Sequence, residues 1–102
     1  MVIVLGRVEV EQKDRAAFLE AVSAIEKETR LEAGCFSYAF GQDSANSEIF
    51  WLCESWADAG TLAAHLETPH IAAFREAIAL LAVRSFKASR YDASNETILI
   101  SR

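Results

Sequence analysis

His65 and His70 are the two histidines of the chain. They bracket Thr68-Pro69 a few residues after Trp56. An unperturbed imidazole changes protonation near neutral pH, so either ring is equipped to take a proton from a bound molecule. His70 falls in the first turn of a helix, where the positive end of the dipole disfavours the imidazolium and keeps the ring an acceptor. Two imidazoles close to an indole make this stretch, Ser55 to His70, the first candidate for chemistry.

The elements that must position these rings can be read from the spacing. An apolar strand, Ile49 to Trp56, precedes a short helix that carries His65. Thr68 is a good N-cap and Pro69 suits the first helical position, so a second helix begins there and is expected to run to about Arg84. Ile71, Phe74, Ile78 and Leu81 repeat along it at intervals of three and four. Arg84 in its last turn would complement the dipole. Upstream, Val2 to Val10 is rich in β-branched residues and partly alternates, a first strand. Phe18, Val22 and Ile25 mark an amphipathic helix with Ala21 on the same face and the Glu26/Arg30 pair on the exposed side. Gly34 is expected to end that helix in a left-handed cap.

Cys35 to Gly41 and Ile49 to Trp56 read as an antiparallel hairpin around the polar stretch from Gly41 to Glu48. Strict alternation puts Phe36, Tyr38, Phe40, Phe50, Leu52, Glu54 and Trp56 on one face. The other face collects Cys35, Ser37, Ala39, Cys53 and Ser55, with Ile49 and Trp51. Phe86 to Tyr91 and Glu96 to Ile100 read as two closing strands. The order β-α-β-β-α(α)-β with a trailing strand predicts an α+β fold, a ferredoxin-like split βαβ unit with an antiparallel sheet. Residues 1–102 form a single domain.

Bulk composition excludes several functions. With 102 residues and 52% hydrophobic side chains the chain can bury a core without staples. A net charge of -5 would repel a phosphate backbone, and no basic stripe overrules it, so nucleic acid is not an expected partner. Met1 to Leu5 lacks the parts of a signal peptide, and the longest apolar run, Ala77 to Val83, is far shorter than the roughly 20 residues that span a bilayer. A cytoplasmic location without membrane contact is expected. Cys35 and Cys53 have neither metal-ligand nor disulfide-scaffold spacing and are expected to be buried. Both faces of the first three strands carry large apolar groups. The economical cover for the uncovered face is a second copy of the chain, a homodimer through the sheet faces.

Glu54-Ser55-Trp56, His65, Thr68-Pro69-His70 and Phe74 together resemble the central signature of the antibiotic biosynthesis monooxygenase family. Its quinol monooxygenase-type members are dimeric α+β barrels. Ala33-Gly34-Cys35, where the family commonly has Pro-Gly-Cys, and Phe18-Leu19-Glu20 agree with it. The resemblance implies a dimeric α/β barrel and a monooxygenase that oxidises a quinol or phenolic aromatic with O₂, using no cofactor and no metal. Such a reaction needs an apolar slot for a flat ring, a proton acceptor and exclusion of water. Trp56, Tyr38, Phe36, Phe50 and Phe74 are the expected walls, and His65 is the expected base with His70 as second acceptor. In the haem-degrading branch, asparagine, tryptophan and histidine stand where this chain has Gly6, His65 and Arg75, which removes an iron ligand. Two other readings stay open: an isomerase on the same scaffold using His65 or His70 for proton transfer, and a non-catalytic ligand-binding or interaction module whose aromatic residues and histidines only pack.

Overall fold

The computed structural model describes residues 1–102. The elements follow in the order β1 (Val2–Val10), a 3-10 turn (Gln12–Asp14), α1 (Arg15–Thr29), β2 (Cys35–Gln42), β3 (Ile49–Trp56), α2 (Ala59–Leu66), α3 (Pro69–Ala79) and β4 (Val83–Asp92). The strands form one antiparallel sheet in the order β2-β3-β1-β4. This is the expected ferredoxin-like α+β arrangement, with β1 and β3 central.

Val2, Val4, Val8 and Val10 point to one face, where they meet Phe18, Val22 and Ile25 of α1 and Ile71 and Phe74 of α3 in a single core. Phe18 and Phe50 pack with their ring centres 5.0 Å apart and their planes tilted by 52°. Each fully buried aromatic side chain of this kind contributes roughly 1.5–3 kcal/mol of transfer free energy. The edge strand β2 is tied to α1 by side chains: Arg30 Nε donates to the Tyr38 carbonyl at 2.9 Å and the Phe40 N–H donates to Glu26 Oε2 at 2.9 Å. The Glu26/Arg30 pair therefore satisfies outward-facing backbone groups of an edge strand rather than merely decorating a helix surface.

The hairpin departs from strict alternation at one point. The pairing of β2 with β3 slips between Cys35 and Ser37, so Tyr38 faces Glu54 and Phe40 faces Leu52 as expected, while Cys35 lies opposite Trp56. Phe36 occupies the irregularity and is 60% exposed. A bulge accommodates an extra residue without flipping the rest of the strand, which is why only this end of the pattern failed. Cys35 is half-buried and Cys53 is exposed on the uncovered face, so neither is the core residue that composition suggested.

Three other expectations are corrected. Helix α1 ends at Thr29, and Gly34, although left-handed at φ 84°, lies in the following turn rather than capping the helix. Helix α3 stops at Ala79, because Ala82 is held by the Asp14 carboxylate and by the Glu11 N–H, which draws the chain into β4. Arg84 thus belongs to β4, where it pairs with Glu48 at 2.8 Å. Residues 96–100 form no strand: after Ala93, whose N–H reaches the Met1 carbonyl, the backbone has no ladder partner, and Ile98, Leu99 and Ile100 are exposed. No helix is long and apolar enough to cross a membrane.

Candidate active site

The site is assembled where the turn after α1 meets the end of α2. Within that turn the Glu32 N–H reaches the Thr29 carbonyl at 3.0 Å and the Cys35 N–H reaches the Glu32 carbonyl at 3.2 Å. Gly34 takes a positive φ that side chains rarely adopt, and a Cβ there would lie 2.5 Å from Thr61 Cγ2. Its carbonyl also accepts the Ala57 N–H at 2.8 Å. Glycine thus lets the turn rest directly on the first turn of α2. Asp58 and Thr61 fix the start of that helix with a reciprocal capping box. Thr68 closes its far end: the hydroxyl donates to the His65 carbonyl at 2.7 Å and accepts the Ile71 N–H that opens α3.

These constraints bring Glu32 against both histidines. Its Oε2 lies 2.6 Å from His65 Nδ1 and 2.8 Å from His70 Nε2. His65 is buried at 1% exposure, with its ring centre 4.7 Å from that of Trp56 and 5.5 Å from that of Tyr38. Trp56 in turn donates its indole N–H to Glu54 Oε1 at 2.8 Å. With Nδ1 of His65 committed to Glu32, the opposite edge of the ring, Nε2, is the one left for a ligand.

That ligand space is a cavity of about 410 Å³ lined by 16 residues, 11 of them hydrophobic, so a flat apolar molecule fits it better than a hydroxyl-rich one. Its walls come from β1 to β4 and both later helices, and include Tyr38, Phe40, Leu52, His65, Phe74 and Phe86. Of the residues singled out from sequence, His65, Tyr38 and Phe74 line this space. Trp56 and Phe50 are wholly buried behind it, the former against His65 and the latter against Phe18. Phe36 is not among the lining residues. His70 opens instead onto a separate groove between α1 and α3, and touches the site through Glu32.

Electrostatics favour a neutral His65. Burial lowers its pKa below the ordinary imidazole value, while the Glu32 hydrogen bond pulls the other way and does not overcome it. A neutral ring that donates from Nδ1 leaves Nε2 unprotonated and able to accept. Burial pushes the Tyr38 phenol well above its usual range, so it remains a protonated wall. Burial likewise raises the Glu54 carboxyl, against the Trp56 hydrogen bond.

Sequence reasoning passed over Glu32, which neighbours nothing in the apolar pattern. Glu54, expected to pair with Arg7 or with a basic residue of a partner subunit, lines the cavity and is hydrogen-bonded by Trp56, while Arg7 lies over the Trp51 ring. Glu32, His65 and His70 place three donor atoms within 4.8 Å of one another, a set that could accept a transition-metal ion. The short hydrogen bonds already satisfy those atoms.

Comparison with known proteins agrees with this fold. The sequence profile described as antibiotic biosynthesis monooxygenase matches residues 1–77. A solved structure of a candidate antibiotic biosynthesis monooxygenase from Deinococcus radiodurans is 26% identical, covers 99% of this chain and 100% of its own, and superposes with a TM-score of 0.93. A conserved protein of unknown function from Bacteroides thetaiotaomicron is 28% identical, with 88% and 94% coverage and a TM-score of 0.81. An uncharacterised Synechocystis protein is 28% identical over 75 residues, which is 74% of this chain; the match spans about half, 51%, of that relative's length. By fold and by a sequence profile that spans three of its four strands, the chain belongs to the antibiotic biosynthesis monooxygenase family.

Proposed function

We propose that the protein is a cofactor-independent monooxygenase that oxidises a quinol or phenolic aromatic with O₂. One observation carries this reading: a buried, neutral imidazole is locked by a carboxylate through Nδ1 and lines an apolar cavity sized for a ring. His65 takes the phenolic proton, Glu32 holds the ring in the productive tautomer and stabilises the imidazolium, and Tyr38 and Phe74 wall the substrate. The resulting phenolate is electron-rich enough to reduce O₂ itself. One oxygen atom replaces a ring hydrogen to give a quinone, the other leaves as water, and the substrate supplies all the electrons, so no external reductant is consumed. Oxygen uptake with a panel of naphthols and naphthoquinols tests the assignment; stoichiometric uptake with quinone formation is expected, and no uptake with any member would sink it.

We further propose a homodimer. Leu5, Trp51 and Tyr91 stand 49–54% exposed on the face of the sheet that no helix covers, and a second copy of that face is the simplest cover. A dimeric mass by light scattering at micromolar concentration is expected; a monomeric one overturns it.

Arg75 and Arg90 in the cavity lining favour a second reading, an isomerase that shuttles a proton through His65 on an anionic substrate.

A further inference from the structure

The cavity is apolar over most of its wall, yet two arginines, Arg75 of α3 and Arg90 of β4, stand in its lining on different elements. Neither is consumed by a structural role. Arg75 takes part in none of the ion pairs of the chain, and Arg90 reaches only Asp92, at 3.7 Å between two exposed side chains. An exposed pair at that distance is worth little and exchanges readily for a better partner. Glu54, the carboxylate that shares the lining, forms no ion pair with either arginine and is instead hydrogen-bonded by the Trp56 indole. The guanidinium of Arg75 is close enough to His65 to help hold that ring neutral. Two unspent planar donors beside an apolar slot match a planar oxyanion joined to a flat hydrophobic body.

We infer that the substrate is an aromatic carboxylate, its ring among Tyr38, Phe74 and Phe86 and its carboxylate held by Arg75 and Arg90. This deepens the monooxygenase reading and rests on it for the identity of the reacting ring, but the anion site is a statement about binding and stands apart from turnover. A phosphorylated sugar would also satisfy the arginines. Its hydroxyls, however, would face Val4, Leu52, Leu62 and Ile78 with few polar partners, and each unpartnered hydroxyl would be desolvated at a loss.

The test is calorimetric titration of the intact protein under anaerobic conditions with 1-hydroxy-2-naphthoate, neutral 1-naphthol and ribose 5-phosphate. The hydroxynaphthoate is expected to bind about tenfold tighter than naphthol, the scale of one charge-assisted hydrogen bond. That preference should fade with added salt, disappear in the Arg75→Ala/Arg90→Ala double variant with naphthol binding retained, and survive in His65→Ala. Retained naphthol binding shows that the double variant still folds. No preference in the wild type, a preference that persists in the double variant, or tighter binding of ribose 5-phosphate than of hydroxynaphthoate would overturn the inference. If the preference behaves as expected while no aromatic is ever oxidised, the anion site stands and the monooxygenase reading falls; oxidation of naphthol without any carboxylate preference is the converse.

Discussion

His65 and His70 hydrogen-bond to the same oxygen of Glu32, yet the fold gives them different surroundings. His65 sits on the last turn of α2, sealed against Trp56, and lines the cavity. His70 sits in the first turn of α3, its side chain 20% exposed, and opens on the groove between α1 and α3. Four residues, with the break at Thr68-Pro69 among them, separate a ring that lines the cavity from one that faces the outer groove. Sharing a carboxylate does not make two histidines equivalent: what each ring's free edge faces decides its role.

The largest expected effect comes from removing the first ring. His65→Ala should lower turnover by about two orders of magnitude or more, the usual loss for an acid-base group, when oxygen uptake is followed with a quinol that the wild type oxidises. Glu32→Gln should cost about tenfold, as expected for one hydrogen bond to a charged group. It should also move the acidic limb of the kcat/KM profile to lower pH, because Glu32 favours the imidazolium of His65 and its removal makes that ring easier to deprotonate. A purely structural Glu32 would leave the profile in place. His70→Ala should change turnover by less than about threefold. A collapse as deep as that of His65→Ala would erase the distinction drawn between the rings.

Stability against pH sharpens the same contrast. The pKa of His65 is depressed in the folded state relative to its ordinary value of 6.5. Above that value both folded and unfolded chains hold the ring neutral and its contribution is complete. As pH falls below it the unfolded state binds the proton first, so the contribution is lost down through the folded pKa. Glu54, raised by burial, acts in the opposite sense and loses its contribution as pH rises from 4.5 through its folded value. The difference between wild type and His65→Gln isolates the histidine: the fall in Tm between neutral pH and the folded pKa of His65 should be shallower in the variant.

Most of the scaffold was legible in the chain. Period-two alternation in Val2 to Val10 and in Ile49 to Trp56 fixed both central strands, and Thr68-Pro69 fixed the break between the last two helices, because these signals are local and each matches one backbone geometry. The errors fell where a neighbour overrode the local pattern. Ala82 left the helix for Asp14 and Glu11, Phe36 was displaced by a bulge against β3, and residues 96–100 lacked a strand to pair with. The site was half legible for the same reason. His65, Tyr38 and Phe74 announced themselves by type and spacing, whereas Glu32 lies 33 residues from His65 in a turn with no pattern of its own.

From its own order of residues the chain determined an antiparallel α+β sheet, a helix break flanked by imidazoles and enough aromatic surface to enclose a ring. Only tertiary structure decided which imidazole reaches the cavity, which carboxylate orients it and that Arg75 and Arg90 enter the same lining. Periodicity reports what one segment does with its own backbone. A hydrogen bond between a turn and a distant helix depends on how separate segments pack, and no spacing along the chain encodes that meeting.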